Sequence, residues 1–212
     1  GMEAQSIPLT SRPRRNRRTA AIRRMVRETA LSPANLILPL FVVEGQSESV
    51  PIPSMPGCYR LSPDLIVEQA REAASLGVPA VALFPALPDD LKDSRASESV
   101  NPDGLLQRTV RALKSEVPDV AVITDVAMDP YSSDGHDGLV ENGKILNDPT
   151  LEILAAMAVS QAEAGADLVA PSDMMDGRVG YIREILDEEG FTDVGILAYS
   201  AKYASAFYGP FR

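Results

Sequence analysis

The sequence predicts an α/β protein built on a parallel sheet, and three observations carry that prediction. Five short apolar runs are nearly continuous rather than alternating: Leu36–Val43, Val78–Phe84, Val120–Thr124, Ala166–Ala170 and Val194–Tyr199. Continuous apolarity is what a strand buried on both faces requires. Between the runs lie segments with apolar residues at helical spacing, so strand and helix alternate. Polar motifs follow several of the runs, and a (β/α)8 barrel builds its chemistry at the C-terminal ends of its strands. No Gly-rich phosphate loop follows the first run, which counts against a dinucleotide or P-loop fold.

Each helix has its own signals. Ser62-Pro63-Asp64 supplies a capping oxygen and a Pro at the first helical position, before Leu65, Ile66, Ala70 and Ala73 at helical spacing and Gly77 as the stop. Asn101-Pro102-Asp103 opens a second helix through Leu105, Leu106, Val110 and Leu113, stopped near Pro118. Asp148-Pro149 opens a third, through Leu151, Leu154, Ala155, Val159 and Ala162 to Gly165. A fourth runs from about Gly180 to Glu189, before Gly190. Five strands cannot close a barrel that needs eight. The expectation is therefore a (β/α)8 barrel truncated to about five βα units over residues 31–212, preceded by an extended arm over residues 1–30.

Composition narrows the function classes. A chain of 212 residues that is 45% hydrophobic is in the range of one packed domain. No apolar run reaches the length of a membrane span, and the basic N-terminus lacks the apolar core of a signal peptide. Gly1 ahead of Met2 reads as the remnant of a tag. Cys58 is the single cysteine, which points to a reducing, cytoplasmic setting. The net charge is −10, yet Arg12, Arg14, Arg15, Arg17, Arg18, Arg23 and Arg24 crowd one stretch. Such a stretch suits nucleic acid, but with so acidic a body the better reading is an arm lying on an acidic neighbouring subunit.

Three strand ends carry the chemistry. After the fifth run, Lys202 sits in an uncharged stretch of Tyr, Ser, Ala and Phe. Loss of hydration lowers the pKa of a Lys, and the neutral amine then attacks a carbonyl to form an imine. Arg212 has the fork to clamp a substrate carboxylate. The plain alternative is a surface Lys with its stem packed on aromatics. After the third run, Asp125, Asp129, Asp134 and Asp137 fall within thirteen residues, with His136 among them. Clustered oxygens suit Mg2+ or a substrate ammonium, and an Asp-, Ser- and Gly-rich turn bonding its own backbone is the alternative. After the fourth run come Ser172, Asp173 and Asp176, either substrate contacts or caps of the next helix. Met174 and Met175 read as packing residues, and Cys58 as a packed thiol.

At these motifs the sequence closely resembles the porphobilinogen synthase (5-aminolevulinate dehydratase) family from about Arg12 onward. The resemblance rests on Leu38-Pro-Leu-Phe-Val, Pro53-Ser-Met-Pro-Gly57, the aspartate loop, Ala170-Pro-Ser-Asp-Met-Met-Asp-Gly-Arg and Ser200-Ala-Lys-Tyr-Ala-Ser-Ala-Phe-Tyr-Gly-Pro-Phe-Arg. It implies a (β/α)8 barrel whose arm embraces a neighbouring subunit, usually in an octamer. It implies the condensation of two 5-aminolevulinate molecules to porphobilinogen through two imine-forming lysines. Lys202 is similar to the lysine of the A-site, Arg212 to the group that binds the A-site carboxylate, and Phe211 to the ring beside the other substrate. Asp125 and Asp137 resemble partners of the substrate amine and of proton transfer, with Ser172 and Asp129 as further substrate contacts. Many members bind Zn2+ on three cysteines. Ala127, Asp129 and Asp137 stand at those positions here, so the resemblance is to the Mg2+-responsive type, with Asp129 and Asp137 as candidate ligands and the allosteric Mg2+ site mostly beyond residue 212. The second lysine is expected on a later strand, so residues 1–212 alone are expected to make no porphobilinogen. Neither nucleic acid nor membrane is an expected partner. Two other readings stay open: a different imine-forming barrel enzyme such as a class I aldolase, and a non-catalytic oligomerising fragment.

Overall fold

The computed structural model describes residues 19–21, 32–135, 138–172 and 176–197. Its strands are β1 (Ile37–Val42), β2 (Ser49–Pro51), β3 (Tyr59–Leu61), β4 (Ala80–Pro85), β5 (Ala121–Val126), β6 (Val140–Glu141), β7 (Lys144–Ile145), β8 (Leu168–Pro171) and β9 (Gly195–Ile196). Its helices are α1 (Pro63–Ser75), α2 (Leu105–Glu116), α3 (Asn147–Ala164) and α4 (Asp176–Glu188). One sheet runs β2-β3-β1-β4-β5-β8-β9. The neighbours from β1 to β9 are all parallel, and each of the five belongs to one of the apolar runs. They form the partial barrel-like sheet expected of a (β/α)8 fold.

Alternation along each strand sorts the side chains. Leu40, Val42, Val81, Leu83 and Val122 point outward and pack against Ile66, Val67 and Ala70 of α1 and Leu105, Leu106, Val110 and Leu113 of α2. Val126 and Val169 face Leu154, Met157 and Ala158 of α3 and Ile182 and Leu186 of α4. The opposite face carries Ala80, Ala82, Ala121, Ile123, Leu168 and Ala170, with Ile37, Phe84 and Leu197 partly buried beside them and Ala21 packed in. Small residues dominate there because an inward-curving sheet crowds its concave side. Gly195 shows the crowding directly: a Cβ at this position would lie 2.5 Å from the Leu168 side chain.

Several element boundaries differ from the sequence expectation, for local reasons. Ser62 does not cap α1. Its hydroxyl donates to Asp64 and accepts from the Glu48 amide, tying the β1–β2 loop to the helix start. The second helix begins at Leu105 rather than near Asn101, because Asn101 accepts from the Asp103 amide through its side chain and from the Gly104 amide through its carbonyl. That closes a turn before the helix. Helix α4 starts four residues earlier than its apolar spacing suggested. Two small features were not foreseen. Strand β3 pairs with the C-terminal end of β1, at Phe41–Arg60 and Val42–Leu61, and β6–β7 form a separate hairpin. Strands of two or three residues are too short to show a period.

Candidate active site

The parallel strands all point their C-terminal ends to one rim. Asp125 is the next-to-last residue of β5 and shares the concave face with Ile123, two residues earlier. It is half-buried and paired in register with Ala170 of β8. Phe41 and Phe84, at the ends of β1 and β4, stack with ring centroids 5.6 Å apart and form the apolar wall on that face. A half-buried carboxylate is only partly solvated, which is the setting in which such a group binds an ammonium or moves a proton.

The backbone around Asp125 is fixed from outside the sheet. Thr124 points the other way, and its hydroxyl donates to Gln161 Oε1 of α3 at 2.7 Å. Gln161 Nε2 donates to the carbonyl of Asp125 at 2.9 Å. Thr124 and Gln161 are both buried. Sequence reasoning missed Gln161, since a Gln inside a helix is usually on its wet face.

The aspartate loop leaves β5 through buried Ala127 and Met128 into a 3-10 turn, Asp129–Tyr131. Asp129 and Asp134 are exposed, and the Asp134 amide donates to Ser132 Oγ. A neighbouring loop braces this segment: the Asp93 amide donates to the Tyr131 carbonyl, and the Ser133 amide donates to the Asp93 carbonyl. The Asp93 carboxylate accepts from the Ser97 and Arg95 amides. A hydrogen bond with the Ser97 side chain, followed by these amide bonds, holds its pKa below the ordinary carboxylate value. Tyr131 is buried, and its hydroxyl has no hydrogen-bond partner among the described residues. Burial, then the charges of Asp125 and Glu98, push the phenol pKa upward.

Ser172 follows β8 directly, exposed at the same rim as Asp125. Glu44, just past β1, pairs with Arg108 of α2. Cys58 is half-buried with a free thiol. Lys202, Phe211, Arg212, Asp137, His136 and Asp173 lie outside the described residues. Asp125 and Ser172 are thus at one rim, with Asp129 on the loop that leaves β5. Among the described residues no three His, Cys, Asp or Glu side chains converge as a metal site. No described helix is long and apolar enough to cross a membrane.

Comparison with known proteins supplies the rest. Residues 10–212 match the family model described as delta-aminolevulinic acid dehydratase. The chloroplastic delta-aminolevulinic acid dehydratase of Selaginella martensii is 59% identical over 208 residues, covering 97% of this chain and 50% of that protein. The delta-aminolevulinic acid dehydratase of Bradyrhizobium diazoefficiens is 53% identical, covering 98% of this chain and 59% of that one. Among solved structures, the delta-aminolevulinic acid dehydratase (porphobilinogen synthase) of Toxoplasma gondii, in complex with the reaction product porphobilinogen, superposes with a TM-score of 0.79 at 56% identity. It is matched over 97% of this chain and 58% of its own. The chain spans about half the length of the curated relatives it matches. The cytoplasmic expectation is corrected: plant and algal relatives are named chloroplastic, which points to a plastid. A single cysteine has no intrachain partner in any medium, so the cysteine count does not single out a compartment. A matched family model covering nearly the whole sequence, relatives above 50% identity and a shared parallel architecture together establish that the chain belongs to the delta-aminolevulinic acid dehydratase family.

Proposed function

We propose that this chain carries the first imine-forming site of a porphobilinogen synthase, which joins two molecules of 5-aminolevulinate into porphobilinogen with loss of two waters. The observation that carries the reading is Asp125: a half-buried carboxylate on the concave face at the rim, on a strand two places along the sheet from β9, which leads toward Lys202. In this reading the neutral Lys202 amine attacks the substrate ketone. A C–N bond forms, the carbonyl oxygen leaves as water and an imine results. Asp125 and Asp137 hold the substrate ammonium and relay protons, Arg212 binds the carboxylate, Phe211 packs beside the other substrate, and Ser172 and Asp129 contact substrate at the rim.

The donor chemistry favours Mg2+ over Zn2+. Buried Ala127 has no ligating atom, and Asp129 and Asp137 are hard oxygen donors rather than thiolates. Asp129 and Asp137 are the residues that would hold such an ion, which would supply a fixed positive charge beside the carboxylates. The subunits assemble as a homo-oligomer, an octamer, through the basic arm of residues 1–30, whose charge complements the acidic body.

The test is borohydride trapping with 5-aminolevulinate, followed by peptide mapping. A reduced adduct on Lys202 in the full-length protein is expected. Trapping only elsewhere, or none, refutes the assignment.

A further inference from the structure

Resting on the reading above, we propose that Gln161 is a positioning residue for the Asp125 carboxylate, acting through the main chain from the far side of the sheet. Gln161 is 1% exposed. A buried carboxamide is costly unless its donors and acceptor are used. Here its oxygen takes the Thr124 hydroxyl at 2.7 Å, and its nitrogen donates to the Asp125 carbonyl at 2.9 Å. The two bonds grip consecutive residues, the second of which bears the carboxylate.

The place where the grip falls matters. Pairing of β5 with β4 stops at Leu83–Thr124, whereas pairing with β8 continues to Val126–Pro171. The end of β5 therefore has ladder support on one side only, and Gln161 supplies a donor where the β4 ladder has run out. The helix that offers it is anchored in turn. Ser160, the preceding residue, accepts from Gln107 Nε2 at 3.1 Å, and the same nitrogen donates to the Ser99 carbonyl at 2.8 Å. Adjacent positions on α3 thus clasp α2 on one side and β5 on the other. A side chain held by its own backbone in this way keeps a narrower range of orientations than one at a frayed strand end.

The test uses the full-length protein with Gln161→Met, Thr124→Val and both together. Methionine fills a similar volume without hydrogen bonds. The double variant removes the Thr124 hydroxyl together with its acceptor, so it is more stable than Gln161→Met alone, which leaves that hydroxyl unsatisfied. The Asp125 carbonyl still lacks its donor there. The expected result is a kcat about tenfold lower in both Gln161→Met and the double variant, with a much smaller effect of Thr124→Val. Recovery of kcat in the double variant along with its stability overturns the proposal, since it would make the pair purely structural. Hydrogen exchange supplies a readout independent of turnover. The peptide spanning 124–127 should exchange faster in the double variant than in wild type, with the rest of the sheet unchanged. Unchanged exchange there overturns the proposal as well. Should the wild-type parent form no porphobilinogen, the functional reading fails, and the exchange data still decide whether Gln161 holds this segment.

Discussion

At the scale of single residues, burial and partner chemistry decide which substitutions matter. Asp125→Asn keeps the shape of the carboxylate and removes its charge. In the full-length enzyme it should lower kcat about a hundredfold, the usual contribution of a placed acid–base group, with an unchanged circular dichroism spectrum. Asp167 is fully buried at the start of β8, where it accepts from the Val122 amide at 2.8 Å and from Lys114 Nζ at 2.7 Å. Lys114→Met removes a charged hydrogen bond from that buried carboxylate and should cost about 2 kcal/mol in urea denaturation. Tyr131 works in the opposite sense. Its hydroxyl is buried without a partner among the described residues, so Tyr131→Phe should be neutral or stabilising by about 1 kcal/mol at pH 7. The phenol pKa is raised in the folded state, so the stability tied to its neutral form is full below the ordinary value of 10.0 and is lost as pH rises beyond it. Denaturation measured across the alkaline range should therefore show a shallower loss of stability in Tyr131→Phe than in wild type.

At the scale of elements, the parallel strands were legible because each is apolar on both faces, so its run stands out whatever lies beside it. Helix ends were less legible, since side chains that cap in isolation find other partners in the fold. Ser62 bonds to the β1–β2 loop, and Asn101 closes a turn ahead of its helix. Gly165 is a case where the local signal sufficed. It ends α3 with φ of 115°, a conformation that suits glycine, and a Cβ there would meet Lys114 Cγ at 3.2 Å. Gly165→Ala should therefore cost about 1–2 kcal/mol, measurable as a lower melting temperature. The candidate site was legible where a polar residue follows an apolar run, as at Asp125 and Ser172. Gln161 was not, because its burial depends on α3 packing against β5, which no window of sequence contains.

At the scale of the whole molecule, charge is divided in the sequence between an arginine-rich N-terminal segment and an acidic remainder. An assembly held by that division should respond to salt. Sedimentation of the full-length protein should show a smaller species when residues 1–30 are removed, and a partial shift the same way near 1 M salt, where screening acts within about 3 Å. An oligomer that keeps its size under both conditions would rule out the arm as the main contact.

The sequence by itself determined the parallel α/β order, the barrel-type rim, the aspartate loop and the family, because these are written in short contiguous patterns of hydrophobicity and in long motifs. Tertiary structure alone decided which residues stand behind those motifs: Gln161 on the Asp125 carbonyl, Asp93 bracing the aspartate loop, Phe41 stacked on Phe84, and β3 on the end of β1. The physical reason is range. Propensity and periodicity act over a few residues along the chain, whereas a buried hydrogen bond or a stacked ring is set by which elements the sheet brings side by side.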